Sequence, residues 1–349
     1  MLRDYRSYER LELALQPGLV LVVGANGAGK TNLLEAVHVA TQGFSPRTRT
    51  DSQVVRFGAE GARAAVSGVR GEVGLELEVT VRRGEGKRAR LNGAPLRAAE
   101  QLRTLVSTLV FTPDRLGVVK GPPVARRAYF DRVLGRLMPA RAALPAEYGA
   151  AVAQRNAALR RAAAGLSGRD AIEPWSERVA ELGAELVAAR LEVLALLEPS
   201  VGARAAALGL GDVALRYDGD PPTVEGLAAA LDRDVERGVT SLGPHLDDVV
   251  FAAAGRDLRS FGSQGEQRLA LLALLLAEAE AIAERTGVPP LLLLDDVLSE
   301  LDPERRRILA TRVRSAGQAL VTATDAAMLP ADPDQLLEVT PGAVLEAAA

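Results

Sequence analysis

The sequence predicts an α/β P-loop fold assembled from both ends of the chain, roughly 1–122 and 240–349. A helical domain, roughly 123–239, is expected between them. Three observations lead there. Gly24-Ala25-Asn26-Gly27-Ala28-Gly29-Lys30-Thr31 fits the phosphate-binding pattern G-x-x-x-x-G-K-[ST]. Residues 291–296 are an apolar run that ends in two carboxylates. From Arg126 onward the intervening texture turns helical.

The first of these has the right neighbours. Leu19-Val20-Leu21-Val22-Val23 is a short apolar run of strand type, and Asn32-Leu33-Leu34-Glu35-Ala36-Val37 opens a helical pattern. Glycines let the backbone wrap closely around phosphate oxygens, and the helix N-terminus adds partial positive charge. Lys30 is then the residue to reach the β- and γ-phosphates, and the Thr31 hydroxyl the one to sit on Mg²⁺. Asn32 follows directly and completes the candidate nucleotide-contacting set.

Taken in order, residues 9–15 alternate Leu11, Leu13 and Leu15 with polar neighbours, a strand signal. Residues 43–50 read as a loop. Residues 62–69 and 73–81 alternate about Arg70-Gly71-Glu72, which reads as a hairpin. Residues 82–90 carry Arg82, Arg83, Lys87, Arg88 and Arg90 against Glu85. They read as a hairpin tip, either solvated or in contact with phosphate. Residues 105–111 form a buried-type strand.

Residues 126–138, 148–164 and 175–197 are helical, with Trp175, Val179, Leu182, Leu186 and Leu194 recurring at helical spacing in the last. Such a stripe packs helices together. A short strand is expected over 213–217 and one helix over 224–237.

Composition narrows the classes. The chain of 349 residues is long enough for one large or two ordinary domains. It has no cysteine, which excludes disulfides and thiolate-held metals, and only His38 and His245 offer imidazole. The charged start at Arg3, Asp4 and Arg6 does not read as a secretory signal, and no apolar run approaches membrane length, so a cytoplasmic protein is expected. Net charge is −3, so any nucleic-acid site has to be a local patch. Lysine occurs only at 30, 87 and 120, and arginine carries the remaining positive charge.

In the last third, Leu291-Leu292-Leu293-Leu294 suits a strand covered on both faces. Asp295 and Asp296 then sit at its C-terminal end, where open α/β sheets bind ligands. Asp295 is expected to hold Mg²⁺, directly or through water, and Asp296 to act as general base on an attacking water. Upstream, Ser263 and Glu266 stand in capping-box spacing before a helix over 266–284. A cap explains the serine but not Gly262 and Gly265, which would let a second phosphate approach that helix start. Ser263 and Gly265 are therefore candidate contacts to a nucleotide shared with another protomer. Asp302-Pro303 reads as N-cap and first helical residue.

The order of these motifs resembles the ABC-type heads of SMC-like DNA-repair proteins, and more narrowly the RecF family. The residues that carry the resemblance are Tyr5-Arg6-Ser7-Tyr8, the P-loop with Asn32-Leu33-Leu34-Glu35-Ala36, and Pro113-Asp114 through Gly121-Pro122-Pro123 to Arg126-Arg127. They continue with Gly243-Pro244-His245-Leu246-Asp247-Asp248, residues 263–268, and 293–302 with Ser299-Glu300-Leu301-Asp302. The resemblance implies an ABC-type head that binds ATP with Mg²⁺. It also implies a head-to-tail dimer on DNA, at duplex or single-strand/duplex junctions, acting with RecO and RecR to load RecA at gaps. The chain departs from the wider class at Glu266, where Gln is usual, and at Asp296, where transporters carry Glu. After residues 319–322 it has Ala323-Thr324-Asp325 and no switch histidine. The departures at Asp296 and the missing histidine suggest slow hydrolysis, a weak ATPase that resets a DNA clamp. A transporter ATPase subunit is the alternative, but it does not need the long stretch between Lys30 and the signature region; a small-molecule kinase leaves the Ser-x-Gly signature unexplained.

Overall fold

The computed structural model describes every residue except Arg49, Glu300, Ala348 and Ala349, so Glu300 of the Ser-Glu-Leu-Asp segment lies outside the described residues. The chain forms two compact units. One comprises Met1–Arg115, Ala207–Gly209 and Leu275–Ala349, the other Leu116–Ala206 and Leu210–Leu274.

The first unit holds two six-stranded sheets. One is antiparallel, in the order Tyr8–Leu11, Leu2–Tyr5, Gly61–Arg70, Val73–Arg82, Gly86–Leu91, Ala94–Pro95. The other runs Ala343–Glu346, Gln335–Thr340, Leu19–Val23, Ala319–Ala323, Leu291–Leu294, Thr108–Phe111, and is parallel except at its first strand. The helix Lys30–Gln42 packs against strands of both sheets. One core joins Leu2, Ala64 and Val79 of the first sheet to Leu33 and Val37 of the helix and Val20, Leu293 and Leu320 of the second. Leu292, Leu293 and Leu294 are fully buried, as a strand covered on both faces requires.

Several elements differ from the sequence reading. Residues 9–15 are not one strand. Leu2–Tyr5 and Tyr8–Leu11 form a hairpin whose turn places Arg6 at φ 49°, where its N–H donates to Val54 O at 2.8 Å. The stretch 82–90 is mostly strand, because Gly86–Leu91 pairs with Val73–Arg82 and leaves only residues 83–85 at the tip.

In the second unit, helices Pro123–Leu137, Leu144–Ala163 and Glu173–Ala207 accompany a three-stranded antiparallel sheet in the order Arg256–Asp257, Asp248–Ala253, Val213–Asp218. The third helix continues past Leu197, with Pro199 inside it. Of its apolar stripe, Val179, Leu182, Leu186 and Leu194 are buried, whereas Trp175 is 37 % exposed. The expected helix over 224–237 is two, Val224–Ala229 and Leu231–Arg237, broken at Ala230. Residues 240–274, which the sequence groups with the head, cluster with this unit. Asp248–Ala253 pairs along its length with Val213–Asp218, and Leu258–Phe261 packs on that strand. Fully buried Arg155 ties the helices together through Asp234 at 2.7 Å, Ser176 at 2.9 Å and Thr240 at 3.0 Å.

Among the described residues, no helix is long and apolar enough to cross a membrane.

Candidate nucleotide site

Strand order builds the site in the first unit. The P-loop strand Leu19–Val23 lies parallel to Ala319–Ala323, which lies parallel to Leu291–Leu294, so their C-terminal ends share one edge of the sheet. The loop after Val23 leads into the helix Lys30–Gln42, whose N-cap Gly29 supplies no side-chain cap and whose first turn carries no acid. Its N-terminal amides are therefore the kind of donors an anion uses. Two glycines are required by contact as well as conformation. At Gly24 (φ 152°) a Cβ would stand 2.4 Å from Val339 O, and at Gly29 (φ 120°) 2.9 Å from the Tyr8 hydroxyl.

Lys30 is buried, and its Nζ donates to the loop carbonyls of Gly24 at 2.6 Å and Ala25 at 3.0 Å. A phosphate seated in the loop competes with those carbonyls for the ammonium. Burial lowers the Lys30 pKa, and Asp296 and Asp295 oppose that shift.

Thr31 Oγ1 lies 3.0 and 2.9 Å from the two carboxylate oxygens of Asp295, across 264 positions of sequence. Asp295 is buried, and burial raises its pKa against the hydrogen bonds from Thr322 and Thr31 and the charge of Arg47. Asp296 is exposed, with φ 50°, a backbone region that non-glycine residues seldom adopt. Its N–H donates to Thr322 Oγ1 at 2.8 Å, and the same hydroxyl donates to Asp295 Oδ1 at 2.8 Å.

A hydroxyl and a carboxylate that meet within 3 Å are hard oxygen donors suited to Mg²⁺. Among the described residues no cluster of three or more His, Asp or Glu could hold a metal alone.

Around the P-loop lies a shell of contacts to which the motifs alone assign no role. The Tyr8 hydroxyl donates to Gly29 O at 3.0 Å, and Asn32 Nδ2 to Ser7 Oγ at 3.0 Å. Arg47 Nη1 reaches Asn32 Oδ1 at 3.0 Å, and Arg6 forks onto buried Glu35 at 2.7 and 2.8 Å. Tyr5-Arg6-Ser7-Tyr8 is thus a brace under the phosphate loop. For Arg47 the only sequence signal is its place in the loop after the P-loop helix.

Ser263 and Gly265 belong to the second unit, and both are exposed. The capping box is formed there. Ser263 N–H donates to Glu266 Oε2 at 2.7 Å, and Glu266 N–H to Ser263 Oγ at 3.2 Å. The backbone N–H of Ser263 lowers the Glu266 pKa. Asp302 also caps, its carboxylate accepting from Arg305 N–H at 2.9 Å. Arg126 is not available to a ligand. It is 2 % exposed, forked onto Asp248 at 2.6 Å, and also donates to Val119 O and Gly121 O.

The RecF/RecN/SMC N terminal domain family model matches residues 1–344. The DNA replication and repair protein RecF of Symbiobacterium thermophilum is 38 % identical over 337 residues, covering 92 % of this chain and 89 % of that protein. The chain belongs to the RecF family. RecF of Kineococcus radiotolerans is 40 % identical over 357 residues, covering 92 % of this chain and 90 % of its own. Among solved structures, the recombination mediator protein RecF–ATP in the RecFOR pathway superposes with a TM-score of 0.88 at 26 % identity, covering 99 % of this chain and 96 % of that one. An Smc head bound to the C-winged helix domain of ScpA superposes with a TM-score of 0.60 at 18 % identity, again over 99 % and 96 %, which shows a common fold. The fold is the ABC-type head that RecF and Smc share, as the motif order predicts. Two of the blocks that carry the resemblance, Arg126-Arg127 and Gly243–Asp248, meet in the second unit through the Arg126–Asp248 fork and the bond from Arg127 Nη1 to Asp247 O at 2.5 Å.

Proposed function

We propose that this RecF-family chain is an ATP-dependent, DNA-binding recombination mediator and a weak ATPase. In this reading it dimerises head to tail on ATP, binds duplex DNA or single-strand/duplex junctions, and acts in the cytoplasm with RecO and RecR to load RecA at gaps. The observation that carries it is the meeting of Thr31 Oγ1 with both Asp295 oxygens, which joins the phosphate loop to the acidic strand end. The RecF–ATP likeness supports ATP as the nucleotide.

Each residue has a task in this reading. The backbone amides of residues 24–32 and the Lys30 ammonium bind and orient the phosphates. Thr31 and Asp295 would hold Mg²⁺, which would offset the charge of the phosphates. Asp296 points an exposed carboxylate from the same strand end and accepts the proton of the attacking water. Ser263 and Gly265 face the γ-phosphate held by the partner protomer. By role, residues 240–274 then belong with 1–122 and 275–349 as the head, and 123–239 is the insertion.

Lys30→Met removes the charge facing the β- and γ-phosphates and leaves the fold in place. Titration calorimetry is expected to show tight ATP binding lost. Unchanged affinity contradicts the assignment.

A further inference from the structure

The solvent face of the antiparallel sheet carries a row of arginines that no local reading reveals. Arg3 stands directly opposite Arg10 on one side and Arg63 on the other. Arg63 stands opposite Thr80, and Thr80 opposite Arg88. Residues paired across strands share a face, and the neighbours Leu2, Ala64, Val79 and Ala89 are buried on the other one. One row across five strands thus holds four arginines and a threonine. With strands about 4.8 Å apart it spans roughly 19 Å. Arg82 and Arg90, two residues further along their strands, extend the same face.

Like charges directly opposite each other across strands oppose folding. Acids on this side offset only part of the row. Arg10 pairs with Glu12 at 2.8 Å and Arg63 with Glu78 at 2.5 Å, while Arg82 and Arg88 share Glu85 at 3.6 and 3.4 Å. Asp4 is engaged by Arg56 at 2.8 Å. Among the described residues Arg63 Nε is a buried donor without an acceptor. A cavity of about 510 Å³ opens on the row, where Arg3, Arg63, Arg82 and Arg83 line it together with Asp4, Glu60 and Glu85. A row of guanidinium groups fits a chain of phosphates, which arginine binds in bidentate fashion.

We propose that duplex DNA lies with its phosphate backbone across the Arg10–Arg3–Arg63–Arg88 row. Over roughly 19 Å a duplex strand presents about five phosphates, at about 3.4 Å of axis each. Single strands are gripped by stacking on aromatic side chains, and the paired positions of this face carry none, since Tyr5 and Tyr8 are buried. This inference rests on the DNA-binding reading above and adds the surface that serves it. It also moves the contact off Lys87, which stands opposite Val81 on the buried side and pairs with Asp51 at 3.4 Å.

The test is fluorescence anisotropy of a labelled duplex with ATP at several salt concentrations. It compares the parent, R3E/R10E/R88E, the milder R3Q/R10Q/R88Q, and K87Q. Arg63 is kept so that Glu78 retains its partner. Melting temperature and ATP affinity of each variant report an intact fold. The expected result is at least a tenfold loss of affinity in both triple variants. In the glutamine variant the log–log salt slope falls by roughly 2.7, about 0.9 per arginine. K87Q is expected to match the parent. A parent that binds duplex and triple variants that bind it with unchanged affinity and slope overturn the surface alone. A parent that binds no duplex with ATP overturns the DNA-binding reading and the surface with it.

Discussion

Thr322 Oγ1 donates its proton to Asp295 Oδ1 at 2.8 Å and itself accepts the N–H of Asp296 at 2.8 Å. One fully buried hydroxyl therefore fixes both carboxylate residues of the strand end, one by its side chain and the other by its backbone. It also gives the left-handed Asp296 a partner that helps hold that conformation. Thr322→Val keeps the shape and removes the link. Groups that orient a metal ligand typically matter about 10–100-fold for affinity or activity. Mg²⁺-dependent ATP affinity is expected to fall about tenfold in Thr322→Val and to be kept in Thr322→Ser, measured by titration with Mg²⁺ and with chelator. Equal behaviour of the two variants contradicts the link.

Asp296→Asn keeps the size of the side chain but removes the proton acceptor. ATP binding is expected to persist while turnover falls at least ~100-fold, the usual scale of general-base loss. Turnover at the parental rate in a steady-state phosphate-release assay removes Asp296 from that role.

His245 gives a pH dependence. Its Nε2 faces Thr240 O at 3.1 Å and so carries the proton, which leaves Nδ1 to accept from the Tyr148 hydroxyl at 2.7 Å. Burial holds the His245 pKa below its ordinary value. The unfolded chain, with a histidine pKa of about 6.5, then takes up the proton first as pH falls. Stability from this site is complete above about pH 6.5 and is lost on acidification below it. Melting curves at pH 7.5 and 5.5 are expected to show a larger acid-induced drop in the parent than in His245→Gln. Parallel drops contradict the assignment.

The phosphate loop, its strand and its helix were legible because each is specified within a few residues by glycine spacing and apolar pattern. The acidic strand end was legible for the same reason. What surrounds them was not. Thr322 reaches Asp295 because Ala319–Ala323 inserts between Leu291–Leu294 and the far-off Leu19–Val23, a pairing no local pattern announces. Arg47, Ser7 and Tyr8 meet the loop through tertiary contacts of the same kind. The burial of Arg126 was not legible either, because its partner Asp248 is 122 positions away. The segment 82–90 looked like a tip because charge density says nothing about pairing, and its register turned Lys87 and Arg88 to opposite faces.

The proposed head-to-tail dimer rests most directly on Ser263, which forms a cap within its own chain and is nevertheless exposed. A cap alone contributes ~1 kcal/mol and has no bearing on assembly. A hydroxyl on the partner's γ-phosphate links assembly to ATP by mass action and leaves ADP ineffective. The deciding measurement is sedimentation velocity over a range of protein concentrations with ATP, with ADP and without nucleotide, for the parent and for Ser263→Arg. The expected outcome is a parent that dimerises with ATP only and a Ser263→Arg protein that binds ATP yet stays monomeric. A parent equally dimeric in all three conditions, or a Ser263→Arg protein that still dimerises with ATP, contradicts the shared-nucleotide dimer and leaves Ser263 a helix cap.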